Sequence, residues 1–280
     1  MKTMLVLSMG ALLLAGTLSA QTPVPEWQAG VDKMKSLIQT NPAQASEEVG
    51  ELLKGKNKKN VDLVTSVAHV YLDAGKLTEA QEYLAMAKKA NNKDPKVSVL
   101  EGDIALAQKN IGQACQLYEQ AIYFDPNCKE AYLKYAQAYK SASPALAIEK
   151  LEQLKAVDPN CLEADRELAE VYYSSNRFGK AAEMYAKFID TPLATEDDML
   201  KYAFALFLNH DFEKSLQVAQ KGLQKNARHA AFNRLVMYNN TDLKRYEDAE
   251  KAAHAFFNAS DRADYSYLDY RYYGALLSAL

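Results

Sequence analysis

Hydrophobic positions recur along the chain at the spacing of an α-helix that buries one face. Leu168, Val171 and Tyr172 form one such run, which the polar stretch SSNRF ends. A second run follows, in which Phe178, Ala182, Tyr185 and Phe188 lie at the three- and four-residue spacings of a helix. The pattern therefore predicts two helices joined by a tight turn.

Two series of small residues repeat this hairpin. The first series is Ala80, Ala114, Ala147, Ala181, Ser215 and Ala249, with steps of 34, 33, 34, 34 and 34. The second series is Ala68, Gly102, Ala136, Ala169 and Ala203, with steps of 34, 34, 33 and 34. Helices that cross at about 8–10 Å leave no room for a large side chain at the crossing. We therefore expect these "ladder residues" to mark the crossings in a repeat array.

The unit resembles the tetratricopeptide repeat, most closely in EAYLKYAQAYKSASPALAIEKLEQLKAVDPN. The residues of this stretch on the family's marked positions are Tyr132, Tyr135, Ala136, Tyr139, Ala147, Leu151 and Pro159. Glu101 departs from the usual Leu, and the turn SASP is one residue short. The resemblance implies an all-α, right-handed superhelical solenoid of helix-turn-helix hairpins, which binds a protein or peptide partner without catalysis.

On this basis the chain divides into four segments. Residues 1–20 are predicted to be a signal peptide, 21–60 a linker with a degenerate helical hairpin, 61–263 six repeats and 264–280 a C-terminal helix. The six units are 61–95, 96–128, 129–161, 162–194, 195–228 and 229–263. The last helix is either a cap or the first half of a further repeat. As a cap it would leave its tyrosines half exposed. Otherwise another chain covers it, or the protein continues beyond it.

The N-terminus has the three parts of a secretory signal. Lys2 precedes an apolar run that ends in small residues, and polar QTPVPEW follows. Cleavage is expected after Ala20 or after Ser19. A membrane anchor is the alternative, although the run is short for a span of about 20 residues. We therefore expect a bacterial protein exported to the periplasm, an outer-membrane-associated complex or the medium, with no transmembrane segment once the signal is removed.

Charge and motifs argue against several functions. The 33 basic and 36 acidic side chains give a net charge of −3, so the chain offers no general attraction to nucleic acid. The basic run KGKNKKN at 54–60 is interpreted as a solvated connector between helices. No nucleotide-binding or hydrolase motif occurs, and the four histidines are scattered. We predict no enzyme activity, catalytic residue, cofactor or metal site.

The tetrapeptide DPNC occurs twice, at 125–128 and 158–161, one repeat apart. Pro ends one helix, and Asp or Asn can satisfy free donors where the next begins. Equivalent points in adjacent units are expected on the order of 10 Å apart, whereas a disulfide needs Cα atoms within about 7 Å. We therefore predict no intramolecular disulfide and a structural role for both turns.

The resemblance places partner binding on the first helices of the units, which line a concave groove in this family. The segment MLKYAFALFL at 199–208 is apolar on nearly every face. Either neighbouring side chains or the C-terminal segment cover it, or it forms an apolar groove between two arginines that takes an amphipathic helix or a hydrophobic peptide. The candidate partner-binding residues are Arg166, Tyr173, Leu200, Phe204, Phe207, Arg234 and Tyr238.

The function expected from the sequence is a non-catalytic interaction scaffold of the cell envelope. The alternative is a helper module of a larger exported protein or assembly whose C-terminal activity lies outside this chain. An enzyme with its site in the groove would need a convergent polar cluster, and the candidate positions are mostly apolar instead.

Overall fold

The computed structural model describes residues 24–280, which are helical and contain no strand. The prediction of a signal peptide at 1–20 lies outside the described residues. The leading helices are α1 Gln28–Leu37 and α2 Pro42–Leu52, followed by a 3₁₀ helix at Gly55–Lys59. The first helices of the units are α3 Val61–Asp73, α5 Pro95–Ala107, α7 Lys129–Tyr139, α9 Leu162–Ser174, α11 Glu196–Leu208 and α13 Ala230–Asp242. The second helices are α4 Leu77–Asn91, α6 Ile111–Phe124, α8 Pro144–Val157, α10 Phe178–Phe188, α12 Phe212–Lys225 and α14 Tyr246–Ala259. After a short 3₁₀ helix at Arg262–Asp264, α15 Tyr267–Ala279 takes the place of a further first helix.

These helices form the predicted all-α repeat fold. Each first helix packs on the second helix of its own unit, and each second helix packs on the first helix of the next unit. Four overlapping clusters of buried apolar residues follow one another along the chain. Because each unit buries its apolar face only against its neighbours, the core is continuous but quasi-one-dimensional.

The ladder residues lie at the helix crossings, as predicted. Ala68, Ala136 and Ala203 are fully buried, and so are their counterparts on the second helices. At Gly102 the packing is too close for a side chain, since a Cβ atom at this position would lie 2.5 Å from the ring of Tyr118. In the last unit Met237 replaces the small residue and is also fully buried.

The turn inside most units contains one residue with left-handed backbone conformation. Gly75, Lys109, Asn176, His210 and Lys244 have φ between 58° and 75° and succeed one another at the repeat period. The turn of the third unit is the exception. It is one residue short, and Ser143 begins the next helix with φ −150° instead.

The two DPNC turns end α6 and α8, but the aspartates act differently from the prediction. The Asp125 carboxylate accepts a hydrogen bond from the Asn127 N–H at 2.9 Å, inside the turn, and Asp158 does the same with Asn160 at 3.2 Å. The next helix starts directly after a cysteine whose side chain makes no capping hydrogen bond. The aspartates therefore stabilise the turn rather than the next helix. Cys115, Cys128 and Cys161 are all free.

No helix between residues 24 and 280 combines the length and apolar character needed to span a bilayer.

Candidate functional site: the face of the first helices

The seven candidate residues occupy equivalent positions on successive first helices. Each candidate lies three residues before, one residue after or four residues after the ladder residue of its helix. On α9, whose ladder residue is Ala169, these positions hold Arg166, Glu170 and Tyr173. We call the surface formed by these positions in α3, α5, α7, α9, α11 and α13 the "first-helix face".

Its N-terminal part is an internally paired polar network. The Asp103 carboxylate binds His69 Nε2 at 2.9 Å, Lys134 Nζ at 2.9 Å and the Tyr118 hydroxyl, which donates at 2.7 Å. Burial alone would raise the pKa of Asp103, but the hydrogen bonds from His69, Lys134 and Tyr118 and the charge of Lys134 outweigh it and lower that pKa. Asp103 therefore stays ionised and paired across three units.

The next units continue this pairing. Gln137 donates to Glu167 at 2.7 Å. Glu170 accepts hydrogen bonds from Lys201 at 3.0 Å and from the Tyr185 hydroxyl at 2.8 Å. The charges named on this part of the face are thus bound to one another rather than presented as a free cationic or anionic set.

Arg166 is one side of an ion pair between units. Its guanidinium binds the buried Asp198 carboxylate, with Nε to Oδ1 at 3.1 Å and Nη2 to Oδ2 at 3.0 Å. Asp198 also forms a capping box with Thr195, in which the backbone N–H and hydroxyl of Thr195 donate to the carboxylate. Arg166, which was expected to flank an apolar groove, is therefore paired within the chain.

Arg234 repeats this arrangement two units further on. It binds Asp269 of α15 at 2.8 Å through Nε and at 3.1 Å through Nη2, and Ser266 forms the capping box. Asp269 is fully buried and also accepts a hydrogen bond from the Tyr238 hydroxyl at 2.6 Å. Arg234 is therefore engaged as well.

These two "arginine clamps", Arg166–Asp198 and Arg234–Asp269, occur where the connection between units is long. Residues 189–195 and 260–266 precede the clamped helices, whereas 125–128 and 158–161 are short turns. A long connection fixes the following helix only loosely. The clamp and its capping box then position the start of that helix.

The ion pair made by the acidic stretch at 196–198 was not predicted from the sequence. The pattern Thr-x-x-Asp at 195–198 recurs as Ser-x-x-Asp at 266–269. This pattern, together with an arginine three residues before the ladder position of the preceding unit, could have indicated the ion pair.

Phe207 and Tyr238 are buried, with exposed fractions of 7% and 1%. Tyr272 of α15 stacks on Tyr238 with ring centroids 4.2 Å apart and lies 6.1 Å from the ring of Phe207. Of the two sequence-based alternatives, coverage by the C-terminal segment therefore holds for these two side chains and for Arg234. Phe207 and Tyr238 are core residues in this structure, and the expectation that these two side chains are exposed to a partner is corrected.

Tyr173, Leu200 and Phe204 remain partly exposed. Tyr173 packs edge-on against Phe178, with ring centroids 5.7 Å apart, and the other two pack on the buried cluster beneath α11. They lie beside Lys201, whose charge is balanced by Glu170 and by Asp197 at 2.8 Å. We call these three residues the "apolar patch".

Comparison with known proteins agrees with this architecture. The profile of the tetratricopeptide repeat family matches residues 68–131 and 137–194. These two segments of the chain are therefore tetratricopeptide repeats. No curated protein matches the sequence.

Solved structures of this family share the fold at low sequence identity. The C-terminal part of a repeat protein from Cytophaga hutchinsonii aligns with a TM-score of 0.62 at 17% identity, over 88% of this chain and 99% of that chain. PilF from Pseudomonas aeruginosa aligns with 0.60 at 16% identity, over 79% and 99%. PilW, described as a type IV pilus biogenesis factor, aligns with 0.57 at 17% identity, over 73% and 95%. At these identities the likeness shows the fold alone.

Proposed function

We propose that this tetratricopeptide repeat protein is a non-catalytic interaction scaffold of the bacterial cell envelope. Proteins of this family serve as protein-interaction modules, which supports the general role. The N-terminal signal pattern supports export. The likeness of fold to PilW, a type IV pilus biogenesis factor, supports a role in a periplasmic or outer-membrane-associated complex.

The apolar patch is the proposed centre of binding, and one observation carries this. On the first-helix face the polar groups of Asp103, Glu170 and Arg166 are already paired inside the chain. Tyr173, Leu200 and Phe204 are the candidate residues that keep exposed apolar surface beside them. An apolar patch inside a paired polar rim suits one side of an amphipathic helix or a hydrophobic peptide.

A photo-cross-linking amino acid placed at residue 173 or 204 tests this proposal in cells of the source organism. We expect one defined cross-linked protein from both sites. The matched control is residue 123 on α6, where the native tyrosine is 82% exposed, far from the apolar patch in the repeat order. The same product from residue 123, or none from 173 and 204, would contradict the proposal.

Export is tested separately by fractionating the cells and determining the N-terminal residue of the purified protein by mass spectrometry. We expect the protein in the envelope or medium, starting at Gln21 or Ala20. Recovery in the cytoplasm with residues 1–20 intact would refute the envelope assignment while leaving the interaction role open.

A further inference from the structure

The fifth and sixth units border a cleft of about 340 Å³ between α12 and α14. Asn233 and Asn240 of α13 lie at its base, and Gln220 of α12 forms part of its wall. We call it the "amide cleft" after these three side chains. The two asparagines lie four residues before and three residues after the ladder position of α13. The cleft therefore opens on a different side of this helix from the first-helix face.

Asn240 is buried, with an exposed fraction of 2%, and its side chain lines the cleft. Its amide has no hydrogen-bond partner among residues 24–280. The preceding residue differs, because the Asn239 NH₂ group donates to Ser215 Oγ and to the Leu235 carbonyl, both at 2.8 Å. Buried polar side chains are hydrogen-bonded in the large majority of cases. The Asn240 amide is therefore available to a ligand in the cleft.

Packing within the repeat does not account for an amide at this position. Three residues after the ladder position, the other five units carry Tyr71, Ala105, Tyr139, Tyr172 and Leu206. Asparagine gives up its hydrogen bonds to water when it is buried there and gains none inside the described chain, which lowers stability. A residue that departs from the pattern of its own repeat in this way indicates a functional site.

Asn233 and Gln220 add two further amides. Asn233 is 5% exposed, and its NH₂ group donates to the carbonyls of Ala227 at 3.0 Å and His229 at 3.2 Å, which leaves its carbonyl oxygen as an acceptor. Gln220 is exposed at the wall of the cleft. Because an amide carries both an acceptor oxygen and an NH₂ donor group, the cleft presents both kinds of group to a ligand.

The charges that line the amide cleft balance each other. Asp248 and Lys251 of α14 form an ion pair, with Nζ to Oδ1 at 3.2 Å. Val236 and Ala252 supply a small apolar surface beside the amides. These features match a neutral ligand that has several hydrogen-bonding groups and a short apolar face.

The amide lining is confined to this cleft. In the equivalent cleft one unit earlier, between α10 and α12, Ala186 and Met199 stand in the places of Gln220 and Asn233. An extended peptide would need the amides to recur along the array, since its backbone groups recur along its own length. A lining that stops after one unit suits a small, discrete ligand instead.

We propose that the amide cleft binds a neutral mono- or disaccharide. Each sugar hydroxyl both donates and accepts hydrogen bonds, so neighbouring hydroxyls pair with the oxygen and the NH₂ group of one amide. The C–H face of the sugar ring lies on Val236 and Ala252. A volume of about 340 Å³ is at the lower end of the roughly 300–1,000 Å³ of small-molecule sites, which fits a ligand of this size.

Saturation-transfer difference NMR of the chain, purified as the cell produces it, tests this binding directly. The saccharide probes are glucose, galactose, N-acetylglucosamine, maltose, cellobiose and lactose at millimolar concentration. Trialanine and inorganic phosphate serve as the peptide and anion probes. We expect saturation transfer to at least one saccharide, whose dissociation constant is then measured by titration.

Asn240→Leu separates binding from folding, because it introduces the residue type that Leu206 supplies in the preceding unit. It should raise the dissociation constant of the bound saccharide at least about tenfold and also raise the urea midpoint, since a buried amide without a partner is removed. Gln220→Ala, on the exposed wall, should weaken binding while the chain stays folded. The matched control is Gln217→Ala, an exposed glutamine of the same helix that lines the neighbouring cleft, which should leave binding unchanged.

Three binding results would each overturn the proposal: no saccharide of the panel binds, trialanine or phosphate binds in place of a saccharide, or saccharide binding is unchanged in Asn240→Leu. A lower urea midpoint for Asn240→Leu would also overturn it, because Asn240 would then be a packing residue.

Discussion

Asp269→Asn tests whether the arginine clamp holds α15 on the repeat array. The Asp269 carboxylate accepts five hydrogen bonds: from Arg234 Nε and Nη2, from the Tyr238 hydroxyl, and from the backbone N–H and hydroxyl of Ser266. Asparagine has nearly the same shape but only one acceptor oxygen, and its NH₂ group is a donor.

The magnitude follows from the donors that lose their acceptor. Oδ1 binds two donors, Arg234 Nε and the Tyr238 hydroxyl, while Oδ2 binds three. Whichever way the amide is turned, at least two donors face an NH₂ group. Each unsatisfied buried group costs about 1–3 kcal/mol, and removing one side of a buried ion pair costs about 3–5 kcal/mol. We expect α15 to lose about 3–5 kcal/mol of local stability.

Acid should have the same effect on the wild-type chain. Burial alone raises the pKa of Asp269, but the hydrogen bonds from Tyr238, Ser266 and Arg234 outweigh it and hold the folded-state pKa below its usual value. A depressed carboxyl pKa contributes stability that is present above the unfolded-state pKa and is lost as the pH falls through the folded-state pKa. Docking of α15 should therefore weaken below about pH 4, and this part of the pH dependence should disappear in Asp269→Asn.

Hydrogen exchange followed by mass spectrometry measures the effect helix by helix. Asp269→Asn should remove protection from residues 267–279 and leave α3 to α10 unchanged, since α15 packs mainly on α13 and α14 and reaches α11 through Tyr272 and Phe207. Asp198→Asn is the matched variant, because it breaks the equivalent clamp inside the array. It should lower the main unfolding transition instead.

Unchanged protection of 267–279 in Asp269→Asn would refute the clamp as the anchor of α15. An equal loss of protection along the whole array would contradict the view that this clamp acts locally.

Two further predictions concern the backbone and the ladder. Lys109→Gly should stabilise the chain by about 0.5–1 kcal/mol, since Lys109 has the left-handed φ of 63° that glycine adopts readily. Lys140→Gly, at the short turn with φ −52°, should destabilise it. Urea unfolding compares the two variants. Gly102→Ala should destabilise by about 1–3 kcal/mol because its methyl group meets Tyr118, while Gly50→Ala, which meets nothing within 4 Å, should stabilise by up to about 1 kcal/mol. A lower midpoint for Lys109→Gly, or equal effects of the two alanine substitutions, would count against the respective assignment.

The repeat architecture could be predicted from the sequence because helix crossings impose small residues at a fixed period. Ala136 and Ala203 are fully buried for this reason. The period also fixes which residues share a face, and the candidate residues occupy equivalent positions on successive first helices. Partner contact itself is not visible in such a pattern.

The coverage of the first-helix face could not be settled in this way. Phe207 and Tyr238 carry the same pattern whether a partner or Tyr272 of α15 lies on them. The arginine clamps join residues more than 30 positions apart, and the sequence does not show that Arg234 and Asp269 meet until the helices are packed. Long connections before α11 and α15 were the physical hint, because such helices need another contact to fix them.

The most direct test of the central claim is the affinity of the cross-linked partner, once identified, for the purified chain. The dissociation constant should rise at least about tenfold in Phe204→Ala, which corresponds to about 1.4 kcal/mol or more. It should stay unchanged in Tyr123→Ala, with circular dichroism showing that both variants remain folded. Equal affinity of Phe204→Ala and the wild-type chain would contradict binding at the apolar patch.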